Sequence, residues 1–315
     1  MEYRKLGNTG VRVSEISLGS WLTYGNATER DTAFNTLHTA YDLGINFFDT
    51  ANVYARGAAE IVVGEALADY PRESFVLATK VFFPMGDGPN DRGLSRKHIM
   101  ESAHASLKRL KMDYVDILYC HRPDPETPVA ETMRALDDLV RQGKVLYIGV
   151  SEWSAAQMQE ALRVSDRLLL DRIVVNQPQY NMLNRNIESE VIPLGEREGI
   201  GQVVFSPLAQ GVLTGKYKPG QKPPEGSRAL DPKQNMWIGG FLHDNQLEKV
   251  SKLDGVAKDC GITVSQLALA WVLRQRNVSS ALVGASRPEQ VRENASASGI
   301  VLNGETLDRI EEILS

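Results

Sequence analysis

Cysteine is nearly missing from this sequence: Cys120 and Cys260 are the 2 present in 315 residues. That excludes a disulfide framework at this length and fits a reducing compartment. Neither cysteine belongs to a CxxC pair. Apolar runs of the ~18 residues that span a membrane are missing too. The opening Met1-Glu-Tyr-Arg-Lys5 carries no apolar stretch that could act as a signal-peptide core. A cytoplasmic protein with no membrane partner is the expectation. Positive charge is in deficit, with 35 Lys and Arg against 40 Asp and Glu and a formal net charge of -5. A phosphate-backbone footprint needs a basic face, so nucleic acid is excluded as a partner. The chain does contain a hydrophobic share of 42% and 26 glycines, which is ordinary globular composition rather than disorder.

Short apolar, β-branched runs bounded by turn residues recur at Val13 to Leu18, Ile45 to Phe48, Phe75 to Ala78, Tyr114 to Tyr119, Leu146 to Val150, Ile173 to Val175, Val203 to Phe205, and Ala281 to Val283. Most lack strict alternation, as strands covered on both faces do in a parallel sheet. Segments with helical spacing lie between them: Thr28 to Leu43, Ala58 to Ala68, Ser95 to Leu110, Val129 to Gln142 and Ser154 to Val164. Ser95 and Ser154 stand at N-cap positions, Gly44 and Gly143 at C-cap positions. From the second run to the seventh, successive strands start about 30 residues apart, one βα unit each. Eight strands alternating with helices predict an α/β fold, a (β/α)8 TIM barrel forming one domain over residues 1–315. A doubly wound sheet is the alternative, but no GxGxxG follows the first strand, which ends Leu18-Gly-Ser-Trp21. Tyr3 to Val13, turning at Gly7-Asn-Thr-Gly10, predicts a hairpin ahead of the barrel. Pro219 to Asn245, rich in Pro and Gly, predicts a long loop after strand seven, over the face where barrels bind ligands.

Catalytic groups of such barrels come from the C-terminal ends of strands. Here those ends carry Asp49, then Tyr54 in the following loop, Lys80 and His121. An Asp, a Tyr, a Lys and a His at one mouth suit general acid catalysis on a carbonyl. A Tyr hydroxyl has an ordinary pKa of about 10 and donates sluggishly unless a cation stabilises its phenolate. Lys80 is expected to supply that charge, Asp49 to hold Lys80, and His121 to donate to the substrate oxygen.

The residues around these groups resemble the aldo-keto reductases. Gly44-Ile-Asn-Phe-Phe-Asp-Thr-Ala-Asn-Val-Tyr54, with Glu60 and Gly64-Glu-Ala-Leu67 behind it, is similar to one family signature. Leu107-Lys-Arg-Leu110 followed by Asp113-Tyr-Val-Asp-Ile-Leu118 is similar to a second. The resemblance implies a tetrad of Asp49, Tyr54, Lys80 and His121, and reversible hydride transfer between a nicotinamide cofactor and an aldehyde or ketone. It implies that Ser151 and Gln177 hold the nicotinamide carboxamide and that Phe205 stacks on the ring. Glu152 departs from the usual Asn or Arg at its position. Ser206, Pro207, Leu208, Ala209, Gly211 and Lys216 would follow the pyrophosphate, with Ser20, Trp21 and Asp49 at the nicotinamide end. At the adenosine end the resemblance implies Gly284, Ser286, Arg287, Gln290, Glu293 and Asn294, with Arg228 reaching the 2'-phosphate from the long loop. NADPH is thereby favoured over NADH, although Ala285 and Gln290 stand where many relatives carry Lys and Arg.

Arg122-Pro-Asp-Pro-Glu-Thr-Pro128, Ser206-Pro-Leu-Ala-Gln-Gly211 and Val278 to Ser286 narrow the resemblance to the potassium-channel β-subunit branch and its bacterial relatives. Channel subunits commonly have Asn in place of His121, so the His implies a working reductase. A cofactor-binding regulatory subunit is the competing reading. An isomerase or aldolase with Lys80 as Schiff base is a third. Trp21, Tyr24, Phe82, Phe83, Trp153 and Trp237 fall on or near mouth loops and, with Tyr54 and His121, form an expected aromatic pocket for a small-molecule carbonyl substrate. A homo-oligomer is compatible with the family, which includes monomers and larger assemblies.

Overall fold

Eight buried apolar strands close on themselves here, each followed by helix that covers its outer face. The computed structural model describes residues 1–21, 24–25, 28–232 and 235–315, apart from the side chain of Met236. Strands β1 (Tyr3–Lys5) and β2 (Arg12–Ser14) form an antiparallel hairpin with Arg4 opposite Val13. The barrel strands are β3 (Ile16–Gly19), β4 (Phe47–Asp49), β5 (Val76–Val81), β6 (Val115–Cys120), β7 (Val145–Ser151), β8 (Ile173–Gln177), β9 (Gly201–Phe205) and β10 (Val278–Gly284). All neighbours are parallel, and β10 pairs with both β9 and β3 to complete the closure. Every residue of β5 and β6 is buried, as expected where helices cover one face and the barrel interior the other.

Two apolar layers result. Inside the barrel, Phe47, Val76, Ala78, Ile117, Tyr119, Val203 and Leu282 pack together with Leu6 and Val13 of the hairpin. The hairpin is thus a plug for the N-terminal end. Its turn comes so close to the strand starts that a Cβ on Gly7, which sits at φ +56°, would lie 2.5 Å from the Gly199 oxygen. The second layer lies between the barrel and its helices, with Leu37, Leu67, Ile99, Leu136, Met158 and Leu269 among its members.

The covering helices are α1 (Arg30–Asp42), α2 (Ala58–Leu67), α3 (Arg96–Leu110), α4 (Val129–Arg141), α5 (Ala155–Leu168), α6 (Val191–Glu198), α7 (Asp244–Asp259), α8 (Val264–Leu273), α9 (Pro288–Ala295) and α10 (Gly304–Leu314). Ser95 accepts from His98 N at 3.2 Å, and Ser154 with Gln157 makes a reciprocal capping box. Gly44 and Gly143 follow α1 and α4 with φ of +85° and +67°. Helix α8 packs on β10, while α7 and α10 pair with each other beyond the ring. Among the described residues, no single helix is long and apolar enough to cross a membrane.

Three expectations need correcting. The first strand does not run from Val13, because Glu15 interrupts it. The Glu15 carboxylate accepts from Arg4 Nε at 2.7 Å, Ser298 Oγ at 3.1 Å and Gly299 N at 3.0 Å, leaving Val13 and Ser14 to the hairpin. The first helix starts at Arg30 rather than Thr28, with Glu29 as its N-cap. The segment 219–245 is not irregular throughout. Its described part contains short 3-10 turns at Arg228–Leu230, Asn235–Trp237 and Gly239–Phe241, buries Ile238, and enters α7 at Asp244.

Candidate active site at the C-terminal mouth

Register brings the strand ends into one ring. Gly19 is level with Asp49, Asp49 with Ala78, Val81 with Cys120, and Ser151 with Gln177. Asp49, Lys80, His121, Ser151 and Gln177 therefore share the floor of one mouth, all of them buried. Ser20, also buried, ties the first strand end in by donating to Thr50 Oγ1 at 2.9 Å.

Lys80 donates to the Asp49 carboxylate and to the Thr50 carbonyl oxygen at 2.8 Å. The second Asp49 oxygen accepts from Gln177 Nε2 at 2.9 Å, and Ser151 Oγ donates to the Gln177 carbonyl at 2.8 Å. The Lys80 ammonium lies 4.9 Å from the centre of the Tyr54 ring. Burial pushes Lys80 below the ordinary lysine range, opposed by the attraction of Asp49. His121 packs edge-on against Tyr54, with ring centres 5.7 Å apart. Burial, then Lys80 and Arg122, hold its imidazole well below the ordinary histidine range, so the ring is neutral. A neutral imidazole carries one N–H donor. The buried His121 Nδ1 has no hydrogen-bond partner among the described residues.

Tyr54 has a second cation nearby. Its phenol is pushed well above its ordinary range by burial first and Asp49 second, and the Arg122 charge opposes that rise. The Lys80 charge is committed to Asp49 and faces the ring. Tyr54 owes its position to a strained loop: Ala55 and Arg56 have φ of +48° and +51°, followed by Gly57 at +91°. Gly57 leaves room for Arg109, whose Cδ would stand 2.6 Å from a Cβ there. Arg109 Nε donates to Glu60 at 2.6 Å, and the other Glu60 oxygen accepts from Thr79 Oγ1 at 2.6 Å. Glu60 is fully buried beneath the loop. Glu60→Ala strands Arg109 and Thr79 and is expected to cost about 3–5 kcal/mol in urea-unfolding stability.

Of the aromatic residues, Phe83 packs against His121 at 4.9 Å and against Phe82 at 5.2 Å. Tyr24 and Trp153 are buried, and Tyr24 Oη and Trp153 Nε1 lack hydrogen-bond partners among the described residues. Trp21 is half-buried, and Trp237 stands 58% exposed. Arg122 is the functional group the strand-end reading passed over. It follows His121 directly, donates to the His121 carbonyl at 2.6 Å, and reaches Ser151 Oγ at 3.5 Å. Its position one residue past a strand end was the available signal.

A second strained turn leaves the mouth beyond Phe205. Ser206, Ala209 and Gln210 have φ of +51°, +46° and +59° in a tight turn with Pro207, Leu208 and Gly211. Asn181 Nδ2 donates to the Ser206 carbonyl at 3.0 Å, and Gln210 donates to Ser206 Oγ. Arg228 of the long loop donates to Gln210 Oε1 at 2.6 Å and so folds that loop onto the turn. Lys216 is pushed down by burial and by the nearness of Arg228 and Arg287. Among the described residues neither Lys216 nor Arg228 makes a salt bridge, and Arg287 has only Glu289, at 3.8 Å. Lys216, Arg228 and Arg287 thus lie near one another, with Asp231 acting on Arg228, and these cations could hold a multiply charged anion such as a diphosphate dinucleotide.

At the far end, exposed Gly284 and Ser286 lead into α9, with Arg287 at its N-cap. Gln290 Oε1 accepts from Ser286 N at 2.8 Å, Glu293 accepts from Thr263 Oγ1 at 3.3 Å, and Asn294 is buried. Gln290 and Glu293 are therefore engaged within the chain. Glu152 takes a left-handed conformation at φ +58° and accepts from Gln179 N at 2.7 Å. No cluster of groups able to hold a metal ion occurs among the described residues.

The sequence pattern described as "Aldo/keto reductase family" matches residues 15–315. A protein of Arabidopsis thaliana described as a "probable voltage-gated potassium channel subunit beta" is 46% identical, covering 100% of this chain and 97% of its own. One of Oryza sativa subsp. japonica with the same description is likewise 46% identical, with the same coverage. A Schizosaccharomyces pombe protein also named for that subunit is 44% identical over 99% of this chain and 93% of its own.

Proposed function

The chain belongs to the aldo/keto reductase family and is an oxidoreductase, and from that premise we propose that it reduces aldehydes or ketones to alcohols with NADPH. The observation that carries this reading is the buried Lys80 and Asp49 pair beneath the Tyr54 ring, with a neutral His121 at the ring's edge. Bound NADPH would supply the hydride. Ser151, Gln177, Phe205 and Asp49 would hold its nicotinamide end; Lys216, Arg228, Ser286 and Arg287 would hold its phosphates.

The chain's own groups do the rest. The His121 N–H and the Tyr54 hydroxyl both donate to the carbonyl oxygen, orienting it and drawing electron density toward it. As negative charge grows on that oxygen, Tyr54 gives it the proton, and the product is neutral alcohol. The nearby Lys80 and Arg122 charges ease the passing of that proton. A Schiff-base role for Lys80 is disfavoured, since its ammonium is tied to Asp49.

We read residues 1–315 as one functional unit acting in the cytoplasm on a small-molecule carbonyl. A regulatory subunit that docks on a membrane channel is the second reading, favoured by the names of the relatives. The two separate on a panel of aldehydes and ketones followed by NADPH and NADH oxidation. Multiple turnovers with NADPH support the reductase, and no turnover with any carbonyl removes it. Arg287→Ala is expected to weaken NADPH about tenfold, the scale of one lost charge-assisted hydrogen bond, and NADH far less. Equal losses in fluorescence titration would show that Arg287 does not recognise the 2'-phosphate.

A further inference from the structure

We infer that Arg122 selects carbonyl substrates bearing a carboxylate a few atoms from the reacting carbon. This deepens the reductase reading above and rests on it. Four other partly buried guanidiniums each hold a carboxylate, Arg4 with Glu15, Arg72 with Asp116, Arg109 with Glu60 and Arg274 with Glu188, whereas Arg228, beside Lys216, makes no salt bridge among the described residues. Arg122 is partly buried at the mouth and makes no salt bridge among the described residues. Both of its hydrogen bonds use Nη1, to the His121 carbonyl and, at 3.5 Å, to Ser151 Oγ. A guanidinium has five N–H donors in a planar fork that matches a carboxylate. The donors on Nε and Nη2 therefore remain for a ligand.

Asp49, a carboxylate on the floor of this mouth, is already engaged by Lys80 and Gln177. The Arg122 charge is left for solvent or for a ligand. Position limits the ligand further. The Arg122 guanidinium carbon lies 5.6 Å from the centre of the Phe83 ring, and the same ring packs against His121 at 4.9 Å. The cation and the proposed carbonyl-orienting imidazole thus flank one aromatic plate. A flat or short substrate lying on Phe83 would present its carbonyl to His121 and Tyr54 and its acid to Arg122. Arg122 also acts electrostatically on Tyr54, Lys80 and His121, so a carboxylate docked on it would offset a charge that all three groups feel.

The test compares 4-carboxybenzaldehyde with 4-methylbenzaldehyde, reading kcat and KM separately with saturating NADPH. The wild type is expected to favour the acid by about tenfold or more in kcat/KM, mostly through KM. Arg122→Gln is expected to reduce that ratio at least about tenfold, and Arg122→Lys to restore part of it. Benzoate should compete with 4-methylbenzaldehyde in the wild type and lose that competition in Arg122→Gln. A wild-type ratio near one, or equal losses on both aldehydes in the variant, overturns the inference and makes Arg122 a positioning residue. Turnover of 4-methylbenzaldehyde without preference sinks the inference alone, whereas no turnover of either aldehyde sinks the reductase reading with it.

Discussion

Tyr54→Phe is expected to reduce aldehyde-dependent NADPH oxidation by about 10²–10⁴-fold, the usual contribution of a positioned general acid, and to leave NADPH binding nearly intact. The variant removes one oxygen atom from a ring held by its loop, by the Lys80 ammonium 4.9 Å from its centre, and by His121 edge-on. Among the described residues, none of those proposed to hold the cofactor is hydrogen-bonded to the Tyr54 hydroxyl. Burial and Asp49 hold the phenol above its ordinary range, so in the wild type it stays protonated through pH 10. Reduction should accordingly show no loss from phenol ionisation up to that pH. His121 adds none on the acid side near pH 6.5, because its imidazole is already neutral there. Unchanged turnover in Tyr54→Phe, with NADPH binding measured by fluorescence titration, would remove Tyr54 as the acid.

Much of the candidate site was legible because a parallel barrel gathers at one mouth the polar residues that stand where its apolar strands stop. The runs ending at Asp49, Lys80 and His121 are short, buried on both faces and bounded by polar residues, so their ends stand out. What strand ends alone cannot give is a charge one residue beyond them. Lys80 was expected to stand as a cation near Tyr54, held by Asp49, and its ammonium does face the ring, while Arg122, which that reading passed over, also opposes the rise in the phenol's pKa. Helix α8 escaped notice for a different reason. All ten of its residues are apolar, Ser or Gln, and nine are buried, so it has no polar stripe and no period to detect. The reciprocal cap formed by Thr263 and Gln266 was its remaining signal. Glu15 breaks the first strand through partners as remote in sequence as Ser298 and Gly299, which no local pattern announces.

Lys80→Met should fail twice, in rate and in stability, and the two failures can be separated. Lys80 and Asp49 are both out of contact with solvent, and removing the ammonium leaves the Asp49 carboxylate in a low-dielectric floor with Gln177 as its remaining side-chain donor. Breaking a buried pair from one side costs about 3–5 kcal/mol, because the orphaned charge must be carried or neutralised. Desolvation already pushes the Asp49 carboxyl upward against the pull of Lys80, so without Lys80 its pKa rises further. A group whose pKa is higher folded than unfolded binds more protons in the folded state, and its contribution falls as pH rises. The instability of Lys80→Met should therefore deepen from pH 5 to pH 8 in urea unfolding. Adding Asp49→Asn removes the charge that causes it, and the double variant should regain more than half of the lost stability and lose the pH dependence. Activity should not return, since neither the cation beside Tyr54 nor the carboxylate that holds it is restored. A double variant as unstable as Lys80→Met would show that Lys80 acts through packing alone. Recovered turnover would show that the proton passed by Tyr54 needs no cation beneath its ring.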